Sequence, residues 1–293
     1  MLETLPPYLT TRELADLIRV KERKVYDLVA TGDVPHSRAT GKLLFPRDAV
    51  LAWIDQAGDA MEGAQRPMVA LGSHDPLLEW ALRSSDCGLA SLFDGSFDGL
   101  ARFERKEGLL TGLHIPDETG HGWNVQAVEK TFKFKPVVLI EWARRQRGLI
   151  VAPGNPKRIE SLSDLAGKRL VQRQEGAGSH LFLRSLLAAS MAGLEAVIES
   201  GPLVRDERDA AQAVFSGEAD AAFGLESAAR QARLNFIPLR QERFDLLICR
   251  KDYFEPPIQA LLGFTRSKAF VDKAAQLGGY DIGALGNVHF NGA

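Results

Sequence analysis

From residue 68 to residue 277, strand-sized apolar runs alternate with runs of helical periodicity, and this alternation constrains the fold more than any other feature of the chain. Residues 68–71, 89–93, 110–115, 134–140, 148–152, 169–172, 219–223, 236–239 and 244–249 read as strands. Residues 76–84, 99–106, 162–165, 179–192, 210–216, 227–232, 256–263 and 267–277 read as helices. Strands that recur with helices between them specify an α/β domain with mostly parallel pairing, because each crossover helix covers the sheet that its flanking strands join.

A chain of 293 residues is longer than one ordinary domain, so a second unit is expected ahead of residue 68. We place it at residues 1–58, with a linker at 59–67 and the α/β domain over 68–293. In the first unit Thr10 or Thr11 is placed to cap a helix carrying Glu13, Leu14, Leu17 and Ile18. Residues 22–30 form a second helix, with Val25, Leu28 and Val29 on its buried face and Gly32 as the stop. A hairpin is expected next, with strands 36–38 and 42–45 around Ala39-Thr40-Gly41, and Pro46 then starts a third helix over 47–56. Residues 57–67 read as a linker or a frayed helix end.

The formal net charge is −2, which excludes a generally basic nucleic-acid-coating protein; any DNA contact has to come from a local patch. The second helix supplies one. Arg19, Lys21, Arg23 and Lys24 stand against Glu22 alone, and Lys21, Arg23, Lys24 and Tyr26 occupy the end of the helix that meets base edges when such a helix enters the major groove. Thr11 and Arg12 on the first helix, and Arg38 and Lys42 on the hairpin, are placed for phosphate or minor-groove contact. The order Leu9-Thr10-Thr11-Arg12-Glu13-Leu14-Ala15, Val25-Tyr26, Gly32-Asp33-Val34-Pro35 and Phe45-Pro46-Arg47 resembles the excisionase-like and MerR-like winged helix-turn-helix family. That resemblance implies binding to double-stranded DNA, as a homodimer on paired half-sites.

In the second unit Gly72-Ser73-His74-Asp75-Pro76, Gly95-Ser96-Phe97-Asp98-Gly99 and Gly176-Ala177-Gly178-Ser179 each follow a strand and open a helix. Helix N-termini offer free N–H groups to an anion, and α/β folds bind ligands at such strand ends; the serines also serve as ordinary caps. These loops, with Gly112-Leu113-His114-Ile115-Pro116-Asp117, Asn124, Gly148-Leu149-Ile150-Val151, Arg173-Gln174 and Ser216-Gly217-Glu218-Ala219-Asp220, resemble the periplasmic-binding-protein-like domain related to molybdate-binding proteins. The resemblance implies a two-lobed type II fold, with crossovers near 148–152 and 243–249. It also implies an oxyanion such as molybdate or tungstate held by Ser73, Ser96 and the Ala177-Gly178-Ser179 segment. His74, His114, Asn124 and Arg173 are further candidate contacts, and Glu226 would oppose an anion if it faced the cleft. This chain has Ala177 where relatives carry a hydroxyl, and His180 where they carry a permanent charge.

Cys87 and Cys249 have no metal-site or CxxC spacing, so neither a metal nor a cofactor is expected. Neither a signal peptide nor an apolar run of membrane length is visible, so the expected location is the cytoplasm. No nucleophile elbow, HExxH or Walker loop occurs, and adjacent Ser73-His74-Asp75 cannot form a triad, so an enzyme is not expected. The expectation is a ligand-responsive transcription regulator. Its alternatives are a regulator of a small organic ligand, or a DNA-binding protein whose second domain only dimerises.

Overall fold

A computed structural model describes residues 5–38, 41–62, 65–118, 122–174, 177–190 and 198–293. The chain divides into two compact units: Met1–Gln65 with Phe132–Lys135 and Gly292–Ala293, and Arg66–Thr131 with Pro136–Asn291.

The first unit is a helix-turn-helix. Helix α1 (Thr11–Leu17) starts at a reciprocal capping box: the Thr10 hydroxyl accepts from the Glu13 N–H, and Glu13 Oε2 accepts from the Thr10 N–H at 2.7 Å. Helix α2 (Glu22–Thr31) ends at Gly32, which adopts φ +75°, the left-handed stop that glycine takes without strain. Leu9, Leu14, Val25, Val34, Phe45 and Val50 are buried together as its core. Among the described residues the hairpin shows one pair, Ser37 with Leu44, whose two backbone bonds measure 2.7 and 3.0 Å; Ala39 and Thr40 at its expected tip lie outside the described residues. Phe45–Pro46 (β2) pairs instead with Tyr8–Leu9 (β1), a strand too short to show alternation in the sequence. Helix α3 (Arg47–Glu62) runs beyond residue 56 into the stretch read as a linker or frayed end, since Ala57, Ala60, Met61 and Glu62 are strong helix formers.

The second unit is built on one mixed sheet of ten strands. Its first lobe holds β3 (Val69–Gly72), α4 (Pro76–Ser84), β4 (Ala90–Phe93), α5 (Ser96–Glu104), β5 (Leu110–Leu113) and α6 (Val125–Phe132). Strand β6 (Val137–Val151) then crosses to the second lobe, made of β7 (Arg169–Arg173), α7 (Gly178–Ser190), β8 (Glu199–Val204), α8 (Glu207–Phe215), β9 (Ala221–Leu225) and α9 (Glu226–Gln231). Strand β10 (Asn235–Cys249) returns to the first lobe, where α10 (Arg250–Tyr253), α11 (Pro256–Phe264), α12 (Lys268–Leu277), β11 (Tyr280–Asp281) and β12 (Val288–Asn291) complete the chain. The order is β4-β3-β5-β10-β6-β9-β7-β8, with β11 and β12 also on β6.

Pairing is parallel within β4-β3-β5 and within β9-β7-β8, and antiparallel wherever β6 or β10 takes part. The expectation of mostly parallel strands thus holds only for the outer parts of each lobe. The strands expected separately at 134–140 and 148–152 are one strand of 15 residues, and so are those at 236–239 and 244–249. The polar stretches between them, outside the expected strands, are strand as well, with alternate charges turned inward. The lobes therefore hand over at Arg145–Arg147, between the β11 and β9 pairings of β6, ahead of the expected 148–152. Helices α6 and α10 and strands β8, β11 and β12 are absent from the expected elements.

Each half of the crossover strands belongs to a different core. Val138, Ile140, Trp142, Phe244, Leu246 and Ile248 pack with α4, α11 and α12. Leu149, Val151, Leu170 and Phe223 pack with Phe182 of α7, while Ile150 packs with Ala210 and Val214 of α8 and Ala229 of α9. The loop after β3 depends on glycine: Gly72 has φ +100°, and a Cβ there would lie 2.3 Å from the Gly112 carbonyl oxygen.

The capping box gives a direct test of the first unit. Thr10→Ala should lower the local stability of α1 and α2 by about 0.5–2 kcal/mol. Amide hydrogen exchange should accelerate across these two helices and stay unchanged in α4.

Candidate functional site

A cavity of about 210 Å3 lies between the lobes of the second unit. That is smaller than the ~300–1,000 Å3 typical of pockets for drug-sized ligands, and suits a small metabolite or ion. The first lobe contributes Ser73 and His74 after β3, Phe93 at the end of β4 with Asp94 and Gly95 after it, and His114 after β5. The second contributes Arg173 and Gln174 at the end of β7, Ala177, Gly178 and Ser179 at the start of α7, and Arg205, Asp206 and Glu207 between β8 and α8. All of these positions are at the carboxyl ends of parallel strands, where open α/β sheets present ligand sites.

The Ser73 and Ser96 hydroxyls lie 2.8 Å apart, and the His114 N–H donates to Ser96 Oγ at 3.1 Å. The first α7 bonds run from the His180 and Leu181 N–H groups to the Ala177 carbonyl, so among the described residues Gly178 and Ser179 carry the open donor end of that helix. Gly178 sits directly against His114 of the other lobe: a Cβ there would meet the His114 carbonyl oxygen at 2.6 Å.

Beneath the cavity a chain of buried charges crosses the two long strands. Arg145 and Arg147 alternate with half-exposed or exposed Arg144 and Gln146 and so share the inner face of β6. Glu242 of β10 stands directly opposite Arg145 in the register and pairs with it. Arg145 Nη1 also lies 3.0 Å from Asp75 Oδ2, and Asp75 further accepts from the Trp142 ring N–H and the Tyr280 hydroxyl. Arg147 lies 2.7 Å from Glu242 Oε2 and 3.0 Å from Glu207 Oε1, contacts that are close ion pairs without hydrogen-bond alignment. Arg173 Nη1 reaches Glu207 Oε1 at 3.3 Å, and His114 Nδ1 lies 3.1 Å from Glu242 Oε2. Burial alone would raise the Glu207 carboxyl, but the Arg147 and Arg173 charges outweigh it and hold the group at about 2. Burial would likewise raise Glu242, and Arg145 and Arg147 drive it well below the carboxylate range. His114 is lowered, because its burial exceeds the pull of Glu242.

Of the ligand contacts expected from the sequence, Ser73, His74, His114, Arg173, Ala177, Gly178 and Ser179 are brought to this one cavity. Ser96 stands behind Ser73, in the first turn of α5. Asn124 is elsewhere: at φ +64° its amide accepts from the Ile115 N–H at 2.6 Å and donates to Asp245 at 2.7 Å, which fixes the loop after β5. Glu226 heads α9, pairs with Arg230 at 2.6 Å one turn on, and is not part of the cavity wall. Gly176 lies outside the described residues. Sequence reasoning missed Asp94, Arg205, Asp206 and Glu207, and the floor residues Arg145, Arg147 and Glu242. The alternation of Arg145 and Arg147 was the available signal for the last group. Asp75 caps α4 as well, accepting from the Leu78 N–H at 2.7 Å.

In the first unit Arg12, Lys21, Arg23, Lys24, Tyr26, Arg38 and Lys42 are all exposed, and Thr11 is half-buried. Lys21 precedes α2, and Arg23, Lys24 and Tyr26 occupy its first turns while Val25 and Val29 face inward. Arg38 and Lys42 flank the Ser37–Leu44 pair. Among the described residues no cluster of His, Cys, Asp or Glu is suited to a metal ion, and no helix is long and apolar enough to cross a membrane.

Two lobes joined by paired crossover strands, with strand ends meeting at a cleft, define the binding-protein class of fold, and the first unit defines a helix-turn-helix. The chain belongs to the PBP superfamily: residues 79–266 match the PBP superfamily domain, and residues 8–58 match a helix-turn-helix domain. It is similar to the uncharacterised protein YvgK of Bacillus subtilis (strain 168), 27% identical over 300 residues that cover 95% of this chain and 96% of the relative. An uncharacterised protein of the ferredoxin 2Fe-2S gene 5' region of Clostridium pasteurianum is 35% identical over 79 residues, which are 27% of this chain and 70% of that protein. Among solved structures, L-phospholactate-bound PEB3 aligns with TM-score 0.49 and 14% identity over 72% of this chain and 98% of its own. A hydrogen-peroxide-bound OxyR variant of Corynebacterium glutamicum aligns with TM-score 0.49 and 12% identity over 92% of this chain and 89% of its own.

The buried charges make two predictions. Glu242→Gln leaves Arg145 and Arg147 with excess buried positive charge and should cost about 3–5 kcal/mol in urea denaturation. Stability should also fall on acidification in two stages. Folding holds His114 below its ordinary value of 6.5, so its contribution is complete above 6.5 and declines below it. The Glu207 contribution is complete above 4.5 and is lost as pH falls towards about 2. Urea titrations across this range check the sign.

Proposed function

We propose that the protein is a ligand-responsive, DNA-binding transcription regulator and not an enzyme. The observation that carries this reading is the presence in one chain of a helix-turn-helix whose second helix exposes Lys21, Arg23, Lys24 and Tyr26, and of a two-lobed domain whose strand ends converge on a small polar cavity. Residues 1–58 read DNA, residues 68–293 sense the effector, and 59–67 join them. The regulator works in the cytoplasm as a homodimer, so that two recognition helices meet paired half-sites.

The effector carries an anionic group. Ser73, the Ser96 hydroxyl behind it and the open α7 donors at Gly178 and Ser179 support this. Molybdate and tungstate are the oxyanions that the sequence resemblance suggests. A small organic ligand is the second reading, favoured by the charged side chains Asp94, Arg173, Arg205 and Asp206 on the same wall. Effector binding biases the lobes through its differential affinity for their open and closed arrangements, and β6 and β10 are the strands that bend.

Selection from a random duplex library followed by salt titration tests the DNA reading. Enrichment of a symmetric site is expected, with affinity falling linearly on a log–log salt plot. Lys24→Ala should weaken binding to all sequences and reduce the salt slope by about 1. Failure to enrich any sequence would remove the regulator assignment.

A further inference from the structure

We propose that the interlobe cavity takes a small zwitterion, an α-amino acid in its ammonium–carboxylate form, in place of a bare oxyanion. The proposal rests on the reading of this cavity as the effector site and names the chemistry of the effector.

Among the described residues the wall carries two arginines, Arg173 and Arg205, against three carboxylates, Asp94, Asp206 and Glu207. The floor adds no positive excess, since Arg145 and Arg147 are matched by Asp75 and Glu242. His114 is held neutral by burial. A tetrahedral dianion placed here meets a wall that is already negative on balance, and like charges in a site of reduced dielectric repel strongly.

The unpaired groups point the same way. Among the described residues, buried side-chain polar atoms without a partner include Arg173 Nε, Gln174 Oε1 and His74 Nδ1, and all three residues line this cavity. Arg173 Nε can only donate, whereas the Gln174 amide oxygen can only accept. Asp94 is exposed at the cavity wall and makes no ion pair among the described residues. A molybdate or sulfate dianion has no N–H or O–H to give the buried Gln174 Oε1, which is costly to leave unpaired, and its charge opposes the exposed Asp94 carboxylate. An amino acid answers both sets. Its carboxylate fits the Gly178 and Ser179 donors with Arg173 and Ser73, and its ammonium fits Asp94 and the Gln174 oxygen. The cavity of about 210 Å3 has room for such a molecule with a modest side chain.

The test is the melting temperature of the full chain with each of the proteinogenic L-amino acids, with glycolate and L-lactate as acids lacking the amine, with ethanolamine as an amine lacking the carboxylate, and with sodium molybdate and tungstate. At least one amino acid should raise Tm by about 5–10 °C at a hundredfold excess over its Kd. The acids without the amine and ethanolamine should bind at least tenfold more weakly. Asp94→Asn, an exposed substitution, should weaken the amino acid tenfold or more while leaving the unliganded Tm in place. A shift with molybdate or tungstate that Ser73→Ala removes overturns the zwitterion and keeps the effector site. Equal binding of lactate and alanine, or full affinity in Asp94→Asn, also overturns it. No shift with any compound overturns it as well, and the DNA selection above then decides separately whether the regulator reading stands.

Discussion

The pairing of Arg145 with Glu242 across β6 and β10 is the contact on which the rest of the second unit depends. The two strands are shared by both lobes, and the charges on their inner faces reach outward in both directions. Arg145 takes Asp75 from the first lobe, and Arg147 takes Glu207 from the second. Burying such groups costs several kcal/mol per ion, and good geometry about restores it, so the network adds little net stability. Its effect is on specificity. Any register in which one member lost its partner would strand a buried charge, so the pairing of the long strands and the placement of the α4 and α8 N-termini are fixed together.

The cavity inherits this arrangement. Glu207 closes the charge chain and also lines the cavity, and Arg173 does the same from the end of β7. The Arg173 guanidinium that lines the cavity is thus already engaged with Glu207. The contact of Gly178 with His114 works alongside it: with no Cβ on Gly178, the start of α7 reaches the loop after β5, and one backbone lines the cavity and makes the lobe contact. The cavity wall and the lobe contact thus share the same few atoms.

The first unit was legible because its signals are local. Thr10 and Glu13 are three residues apart and form the capping box that such spacing favours, and Gly32 ends α2 in the conformation that glycine permits. The cavity was half legible. Ser73, Gly178 and Ser179 stand in loops with glycine, small hydroxyl and helix-start signals. Asp94, Arg205 and Glu207 stand in stretches that read as ordinary solvated charge, and nothing local marks them. The run from Glu141 to Arg147 misled for the same reason: buried charge in a strand has the composition of a loop until its partner strand is in place.

The sequence by itself determined the two-unit organisation, the helix-turn-helix with its exposed cations, the strand–helix alternation and the positions of the loops that open α4, α5 and α7, because periodicity, caps and glycine stops act over a few residues. Only the tertiary structure decided that β6 and β10 run unbroken between the lobes, that their central pairing is antiparallel, that Asn124 and Glu226 leave the cavity and Glu207 enters it, and that the wall carries more carboxylate than guanidinium. Each of these depends on which distant charge finds which partner, and such pairing becomes defined only when strands separated by about a hundred residues lie side by side.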